Sequence, residues 1–478
     1  MTAQKRSDDK EMSKTFREYD IGQLLLLPQD MREWLPESHL ALFISDVVDD
    51  LDLSAIMEKY EAGDGRGQPP FHPRLMVKLL IYAYCKGKPS SRKIEQSTYD
   101  EVPYRVLAAG QHPDHDTIAE FRKRHLKALA GLFMQVLQLC REAGLVRLGH
   151  VALDGTKIKA NASKHKAMSY DRMCEKEKQL EAEVAELLKQ AEATDAAEDA
   201  LHGKGKRGDE LPAELARRET RLKKIKEAKA ALELQAREKA AAEAEDVKRR
   251  LAERQKQEEE TGRKTGGKPP QIPDVRTAKP DPKAQRNFTD PESGIMKDGA
   301  SKSFEQAYNA QAAVDSEAQI IVAAAVTQQP NDKKQLVPML QEVKENFERL
   351  PDAASADAGY FSEEALQAPV LAAVELYVPP DRQGRGSVTP PQATSDNTSK
   401  SSRPKSEIAE KMREKLKNAT GHALYKMRKA IVEPVFGQIK ERRGFRRFSF
   451  RGLEKVSAEW TLIALTHNLL KLFQAQWA

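Results

Sequence analysis

Three acidic residues stand where carboxylates can bind metal ions. Asp154 ends the short apolar run 150–153, Asp357 follows the small-residue run 353–356, and Glu433 lies in a basic, helical stretch. Carboxylates at strand ends on one edge of a sheet, joined by one from a facing helix, form an oxygen cage that suits Mg²⁺. Two such ions about 3.5–4 Å apart stabilise the attacking and leaving oxygens of a phosphoryl displacement. If the three carboxylates converge, they could support a metal-dependent phosphoryl displacement.

Each acid also has a purely structural interpretation. Asp154 can cap a turn, Asp357 can bind nearby backbone amides, and Glu433 can form a surface ion pair. Taken singly, an acid is most often one of these, so the elements that hold the three residues and the local sequences around them decide between the interpretations.

The elements around the acids are typical of a mixed α/β sheet, because strand, strand hairpin, helix, strand, helix, strand and helix follow one another. Residues 315–317 make the turn of the hairpin, and residues 333–347 form an amphipathic helix. The predicted strands are 150–154, 307–314, 320–326, 353–356 and 374–378.

The N-terminal part of the chain has a helical pattern. Pro73 suits a first helical turn, and the cluster 112–117 predicts the start of another helix, which carries the basic run 122–124. Helices with short breaks and a basic cluster indicate a helix-turn-helix-like DNA-binding module, with an all-α packing domain as the alternative.

A charged segment interrupts the α/β pattern after its first strand. Apolar residues at heptad-like steps predict two long helices folded back as an antiparallel coiled coil, either a solvated helix pair or a contact surface between subunits. A Gly/Pro/Lys-rich linker follows. The predicted units are the helical DNA-binding domain 1–145, the first catalytic strand 146–170, the coiled-coil insertion 171–260, the linker 261–300, and the rest of the catalytic domain 301–478.

Composition excludes some classes of protein. The 478 residues carry 79 Lys and Arg against 73 Asp and Glu, so the net charge of +6 does not itself indicate a nucleic-acid partner. The three cysteines lie far apart, which predicts neither a disulfide framework nor a zinc site. No apolar run approaches the roughly 20 residues that span a bilayer. The sequence predicts a soluble cytoplasmic protein that associates with the nucleoid when it binds DNA.

A basic segment follows the third acid. Lys440, Arg442, Arg443, Arg446 and Arg447 are interleaved with two phenylalanines. Such residues neutralise phosphates and give salt-sensitive DNA binding. The alternative is that the phenylalanines belong to the core and the arginines only keep the surface soluble.

The sequences around the acids resemble one family, the insertion-sequence DDE transposases with a ribonuclease H-like catalytic domain. Four matches occur in the family's order, and one more resembles its helical N-terminal domain. The similarity covers roughly residues 16–165 and 285–470. The matching stretches are Leu153–Lys157, Tyr308–Asp315, Ala356–Phe361 and Val432–Lys440, with Pro73–Leu80 upstream.

The resemblance implies a ribonuclease H-like, five-stranded mixed sheet with flanking helices. Asp154, Asp357 and Glu433 would be the catalytic and metal-binding residues for two Mg²⁺ ions, with Mn²⁺ as a substitute. The implied activity is cleavage at transposon ends and transfer of the 3′-hydroxyl to target DNA, with neither a covalent protein nucleophile nor a nucleotide cofactor. The alternatives are a DNA nuclease that does not rejoin, and an inactive DNA-binding or interaction protein derived from a transposase.

One motif departs from the family pattern of Tyr, two residues, Arg, three residues, Glu, six residues and Lys. Four residues separate Arg428 from Glu433, so either Arg428 or Lys429 fills the basic position. The implied partners are double-stranded DNA, as terminal inverted repeats and as target, and a second subunit in a homodimer on DNA, but no membrane. The predicted DNA-binding residues are Arg122, Lys123, Arg124, Lys157, Tyr425, Arg428, Lys429, Lys440, Arg442, Arg443, Arg446 and Arg447.

Overall fold

The computed structural model describes residues 30–61, 69–202, 213–262, 270–298, 302–381 and 406–477. Helices dominate before residue 145, as predicted. They are α1 (Leu40–Asp50), α2 (Ser54–Glu61), α3 (Pro73–Cys85), α4 (Ser91–Asp100), α5 (Val102–Leu107), α6 (His115–Arg124) and α7 (Leu126–Glu142).

Capping residues set the starts of the two helices that the sequence marks most clearly. Pro73 begins α3, where its missing N–H costs no hydrogen bond, and the His72 ring accepts from the Arg74 N–H at 3.2 Å. Asp114 precedes α6 and accepts from the Thr117 N–H at 2.8 Å. Both helix starts are therefore confirmed.

Strands occupy the middle of the chain. They are β1 (His150–Lys159), β2 (Ala167–Ser169), β3 (Gln285–Asn287), β4 (Gly294–Lys297), β5 (Phe304–Asp315), β6 (Ile321–Thr327), β7 (Ala353–Ser355) and β8 (Glu375–Tyr377). The remaining α-helices are α8 (Tyr170–His202), α9 (Ala213–Thr261), α10 (Leu336–Phe347), α11 (Glu363–Leu366), α12 (Glu407–Lys417), α13 (Ala419–Gly437) and α14 (Leu453–Gln476).

Within the described residues, six strands form one mixed sheet in the order β4-β5-β1-β7-β8, with β6 also paired to β5. β5 and β6 form the predicted antiparallel hairpin, β5 is antiparallel to β1, and β7 and β8 run parallel to β1. The mixed α/β class is confirmed. The sheet differs from the predicted five strands because β4 shares the outer edge of β5 with β6.

β4 lies in the segment 261–300 that we predicted to be a linker. Its Met296 side chain is buried, and its main chain pairs with the first residues of β5. β3 precedes it and pairs with β2. The linker prediction is therefore wrong for the end of this segment, where two short strands form. The Gly/Pro/Lys-rich composition is confined to its start and does not indicate these strands.

The charged insertion forms the predicted pair of long antiparallel helices. Ion pairs join Lys226 to Glu181 and Lys229 to Glu177, so α9 runs opposite to α8. The small β2–β3 ribbon closes the base of the pair, since β2 leads directly into α8. The apolar residues at the shared face are Met173, Leu180, Ile225, Ala228 and Leu232.

One continuous hydrophobic core joins the N-terminal helices to the sheet. It runs from Ala41 in α1 to Leu469 in α14, and α14 packs against α7, α3 and β6. The predicted boundary at residue 145 therefore divides the sequence but not the hydrophobic core. No helix in the described ranges is long and apolar enough to cross a membrane.

Arg443 joins the two parts of this core. It is buried and donates to the carbonyl oxygens of Tyr84, at the end of α3, and Ile463, in α14, at 3.2–3.4 Å. Gly87, which follows α3, has φ +70°, and a side chain there would overlap the Arg443 carbonyl. The close approach of these two segments requires a glycine.

We expect Gly87→Ala to destabilise the protein more than Gly110→Ala. Both glycines have φ +70°, but no atom lies within 4 Å of the position that a Cβ would take at Gly110. Each substitution costs about 1–2 kcal/mol through the left-handed backbone, and Gly87→Ala adds about 1–3 kcal/mol of overpacking. Chemical denaturation of the two variants measures the difference. Equal losses of unfolding free energy would show that the Arg443 contact is unimportant.

Candidate active site

Asp154 and Asp357 lie at the same level of two neighbouring parallel strands. β1 pairs with β7 so that Ala152 lies opposite Ser355. Asp154 and Asp357 each stand two residues beyond that pair. Asp357 follows the end of β7, but β1 continues to Lys159, so Asp154 lies within its strand and not at its end as predicted. Two of the three predicted acids are therefore brought together by the parallel register.

The Asp154 carboxylate is partly buried, with 23% of its side chain exposed, and both of its oxygens are engaged. Oδ2 accepts from Arg428 Nη1 at 3.1 Å, and Oδ1 accepts from the Gly155 N–H at 2.8 Å. Burial raises the pKa of Asp154 to about 6, the Arg428 guanidinium opposes the rise, and the charge of Asp357 adds to it. A cation bound beside the two acids would relieve this concentration of negative charge.

Asp357 begins a tight turn that is fixed to the sheet. Its Oδ1 accepts from the Gly359 N–H at 2.8 Å, which caps the 3₁₀ turn Ala358–Tyr360. The Tyr360 hydroxyl donates to Gln311 Oε1 on β5, and Tyr360 is buried. The carboxylate does bind a backbone amide, as its structural interpretation expected, and this bond orients it at the sheet edge.

Helix α13 brings Arg428 to the acids. Arg428 is buried, and its guanidinium lies 5.9 Å from the centre of the Tyr425 ring. Burial opposes the charged form of Arg428, but Asp154 and the other acidic neighbours raise its pKa above the usual value. Lys429 is exposed. Of the two candidates for the basic position, Arg428 is the one that contacts Asp154.

The other end of α13 also contacts β1. Lys440 lies in the π-helical turn Gln438–Arg442 that continues α13, and its Nζ donates to Thr156 Oγ1 at 3.1 Å and to the Lys157 carbonyl at 3.2 Å. Burial lowers the pKa of both lysines. Two predicted cations therefore lie just beyond Asp154, one on β1 and one in the turn that contacts β1.

Glu433 lies on α13 between Arg428 and Lys440, and it is exposed. Within the described residues, no hydrogen bond or ion pair involves its carboxylate. Pro434 follows it and has no N–H for the Ala430 carbonyl, which accepts from Gln319 Nε2 at 2.9 Å instead. Lys440 stands seven positions, or about two helical turns, after Glu433, so the two leave the helix on roughly the same side.

Two arginines that we predicted to bind DNA lie inside the protein. Arg122 donates to the Pro89 carbonyl and stacks over Phe450, with its centre 5.2 Å from the ring. Arg443 bonds to main-chain carbonyls, as described above. Their guanidinium groups hold elements together, so the proposed DNA surface does not include them.

The other predicted DNA-binding cations outside the acid site lie on the surface. Lys123 and Arg124 are exposed beside Glu120, and Arg446 pairs with Glu441. The phenylalanines that separate the arginines after α13 are buried, as the structural alternative expected. The exposed arginines of this segment are Arg442, Arg446 and Arg447.

Sequence reasoning missed one acid at the site. Asp332, between β6 and α10, accepts from Asn309 Nδ2 and Gln311 Nε2, both at 2.6 Å, and its Oδ1 lies 3.9 Å from Lys157 Nζ. Its charge raises the pKa of Asp154. The signal in the sequence was a polar Asn and Gln within the run 307–314, which was predicted to be a strand, because buried amides there need polar partners.

The donors at the site fit a hard divalent cation. Asp154 in β1 and Asp357 just after the neighbouring β7 offer carboxylate oxygens, and oxygen is the donor that Mg²⁺ prefers. Across the described residues, however, no three His, Cys, Asp or Glu side chains are grouped closely enough to hold a metal ion. The third ligand would therefore have to move toward the pair.

Two family models match the chain. The one described as Transposase domain (DUF772) matches residues 29–124, and the one described as Transposase DDE domain matches residues 274–469. Together they span more than half of the chain, and the gap between them contains β1 and the helical insertion. No curated protein and no solved structure matches the chain.

Proposed function

Because the chain belongs to the insertion-sequence DDE transposases, we propose that it cuts DNA at transposon ends and joins the freed 3′-hydroxyls to target DNA. The observation that carries this proposal is the placement of Asp154 and Asp357 at one level of neighbouring parallel strands, with Arg428 bonded to the first. Paired carboxylates suit phosphodiester hydrolysis and strand transfer, which are both in-line displacements at phosphorus.

Asp154, Asp357 and Glu433 are the residues that would hold two divalent ions, Mg²⁺ or Mn²⁺. Such ions lower the pKa of the attacking water or hydroxyl and stabilise charge on the leaving oxygen. The chain's own residues orient this centre: Arg428 fixes one oxygen of Asp154, and the capped turn fixes Asp357.

The cations around the acids support a DNA substrate. Lys157 stands on β1 three residues after Asp154, and Lys440 contacts this part of β1 from the turn after α13, where both can contact phosphates next to the reacting bond. The exposed Arg442, Arg446 and Arg447 extend the positive surface beyond α13. Joining two ends requires that they be held together, so we propose a homodimer on DNA.

Replacing Arg442, Arg446 and Arg447 together by Gln is expected to weaken binding to any DNA duplex about tenfold or more at low salt. Each lost phosphate contact should lower the slope of log affinity against log salt by about 0.9. Fluorescence anisotropy at several salt concentrations measures both quantities. Arg446 is included because its exposed pair with Glu441 is weak enough to yield to a phosphate.

The matched control replaces three exposed cations of α9, Arg221, Lys223 and Lys224, by Gln. This variant has the same change in net charge and should bind DNA with nearly the wild-type affinity and slope. Equal weakening in both triple variants would mean that net charge, and not the surface beside α13, determines binding.

The proposed function is tested with purified protein, Mg²⁺, a plasmid target and DNA fragments from the two borders of the gene. We expect fragments joined to the plasmid through their 3′ ends. Metal-dependent nicking without joining would favour the nuclease. DNA binding with no product in any divalent metal would favour the inactive protein, although the presence of all three acids argues against it.

A further inference from the structure

Asp332 lies at the centre of a polar network under the acid-bearing strand. The loop between β6 and α10 carries it, and its Oδ1 receives one amide N–H from Asn309 and one from Gln311. Both amides belong to β5, in register with Lys157 and Gly155 of β1. The carboxylate is therefore held by two neutral donors on the strand next to β1.

Two glycines show how close Asp332 lies to the segments of both acids. A Cβ at Gly155, the residue after Asp154, would lie 2.7 Å from Asp332 Oδ1. A Cβ at Gly359 would lie 3.6 Å from Asp332 Oδ2 and 2.9 Å from Asp357 Oδ1. Asp332 thus fills the space that side chains would take beside Asp154 and beside Asp357.

Lys157 is the cation that faces this network. Its Nζ lies 3.9 Å from Asp332 Oδ1, and only 18% of each side chain is exposed. Removing one partner of a buried ion pair leaves an uncompensated charge, which favours contact with another carboxylate. Asp154 and Asp357 are the other carboxylates that act on it, and without Asp332 the ammonium would turn to them.

The Asn309 side chain in this network carries a buried acceptor without a described partner. Asn309 is fully buried, and its Oδ1 has no hydrogen-bond partner within the described residues, although its Nδ2 donates to Asp332 and to the Gln329 carbonyl. Oδ1 would lie 2.9 Å from a Cβ at Gly155, so it points toward β1 at the residue that follows Asp154. The Asp332 charge fixes this orientation, which leaves an acceptor facing the site for a donor that binds there.

We propose that Asp332 is a positioning residue of the active site. Its carboxylate holds the Lys157 ammonium away from Asp154 and Asp357. These acids then keep lone pairs for a divalent cation, beside the bonds that Asp154 accepts from Arg428 and from the Gly155 N–H. The inference rests on the proposed metal-dependent function and adds a residue outside its three acids.

Mn²⁺ binding to the full-length protein, measured by electron paramagnetic resonance of the free ion, tests the proposal without an activity assay. Asp332→Asn keeps an oxygen acceptor for the two β5 amides but removes the charge. We expect it to bind Mn²⁺ about tenfold or more weakly, with a melting temperature near that of the wild type. Adding Lys157→Met to this variant should restore most of the affinity.

Lys157→Met alone leaves Asp332 untouched and should bind Mn²⁺ at least as tightly as the wild type. Wild-type affinity in Asp332→Asn, with lost affinity in Asp154→Asn, would overturn the proposal. The proposal would also be overturned if Asp332→Asn binds Mn²⁺ more weakly and adding Lys157→Met does not restore the affinity, since Asp332 would then not act through Lys157. If the wild type binds no Mn²⁺, the proposed metal centre itself fails and this inference fails with it.

Discussion

Asp154→Asn is expected to reduce metal-dependent cleavage and joining of DNA on the order of 10³-fold. The loss of one metal-binding carboxylate removes several kcal/mol of transition-state stabilisation, which corresponds to that factor. Asn keeps an oxygen that can accept from Arg428, so the guanidinium is not left without a partner. Initial rates on a labelled duplex carrying a transposon end measure the effect.

Asp352→Asn is the matched control for this prediction. Asp352 lies just before β7, and its side chain is 76% exposed. Removing its charge should leave the rate within about twofold of the wild type, because surface substitutions usually change little. A fully active Asp154→Asn enzyme would exclude Asp154 from the metal centre.

Glu433→Gln is expected to lower the same rates by about 10²- to 10³-fold. Glu433 lies on α13 together with Arg428, which contacts Asp154. Two turns later Lys440 contacts Thr156, two residues after Asp154 on β1. Since the Glu433 carboxylate is exposed, its replacement should change the free energy of unfolding by no more than about 0.5 kcal/mol. A variant that loses rate but keeps its stability would therefore show that Glu433 acts in catalysis and not in folding. The rates and a denaturation curve measure both parts.

Glu414→Gln serves as its control, because Glu414 is an exposed acid of the neighbouring α12. We expect normal rates from that variant. If Glu433→Gln is as active as Glu414→Gln, the third metal ligand is another residue, and Asp332 becomes the first to test.

Much of the site could be predicted from local sequence. Asp154 and Asp357 each follow a short apolar run, and such runs become neighbouring strands of one sheet, so their convergence depends only on the parallel pairing of β1 with β7. The β5–β6 hairpin was equally readable from two apolar runs around Asp315–Glu317. These features depend on periodicity and on turn residues, which the sequence shows directly.

Features that depend on tertiary contacts could not be predicted. A basic run has the same appearance whether its arginines face solvent or the core, and only packing places Arg122 and Arg443 inside, on main-chain carbonyls. Asp332 lies in a polar loop with no periodic signal, and its role depends on side chains of β5 more than 20 residues away. The spacing before Glu433 likewise did not determine whether Arg428 or Lys429 contacts the first acid.

The most direct test of the metal centre is a change of metal preference in Asp154→Cys. A thiolate binds Mn²⁺ better than the harder Mg²⁺, so we predict a variant that is inactive in Mg²⁺ and recovers cleavage and joining in Mn²⁺. Asp352→Cys should work equally well in both metals. An Asp154→Cys protein that folds and binds DNA normally but shows the same activity in Mg²⁺ and Mn²⁺ would contradict the assignment of Asp154 as a metal ligand.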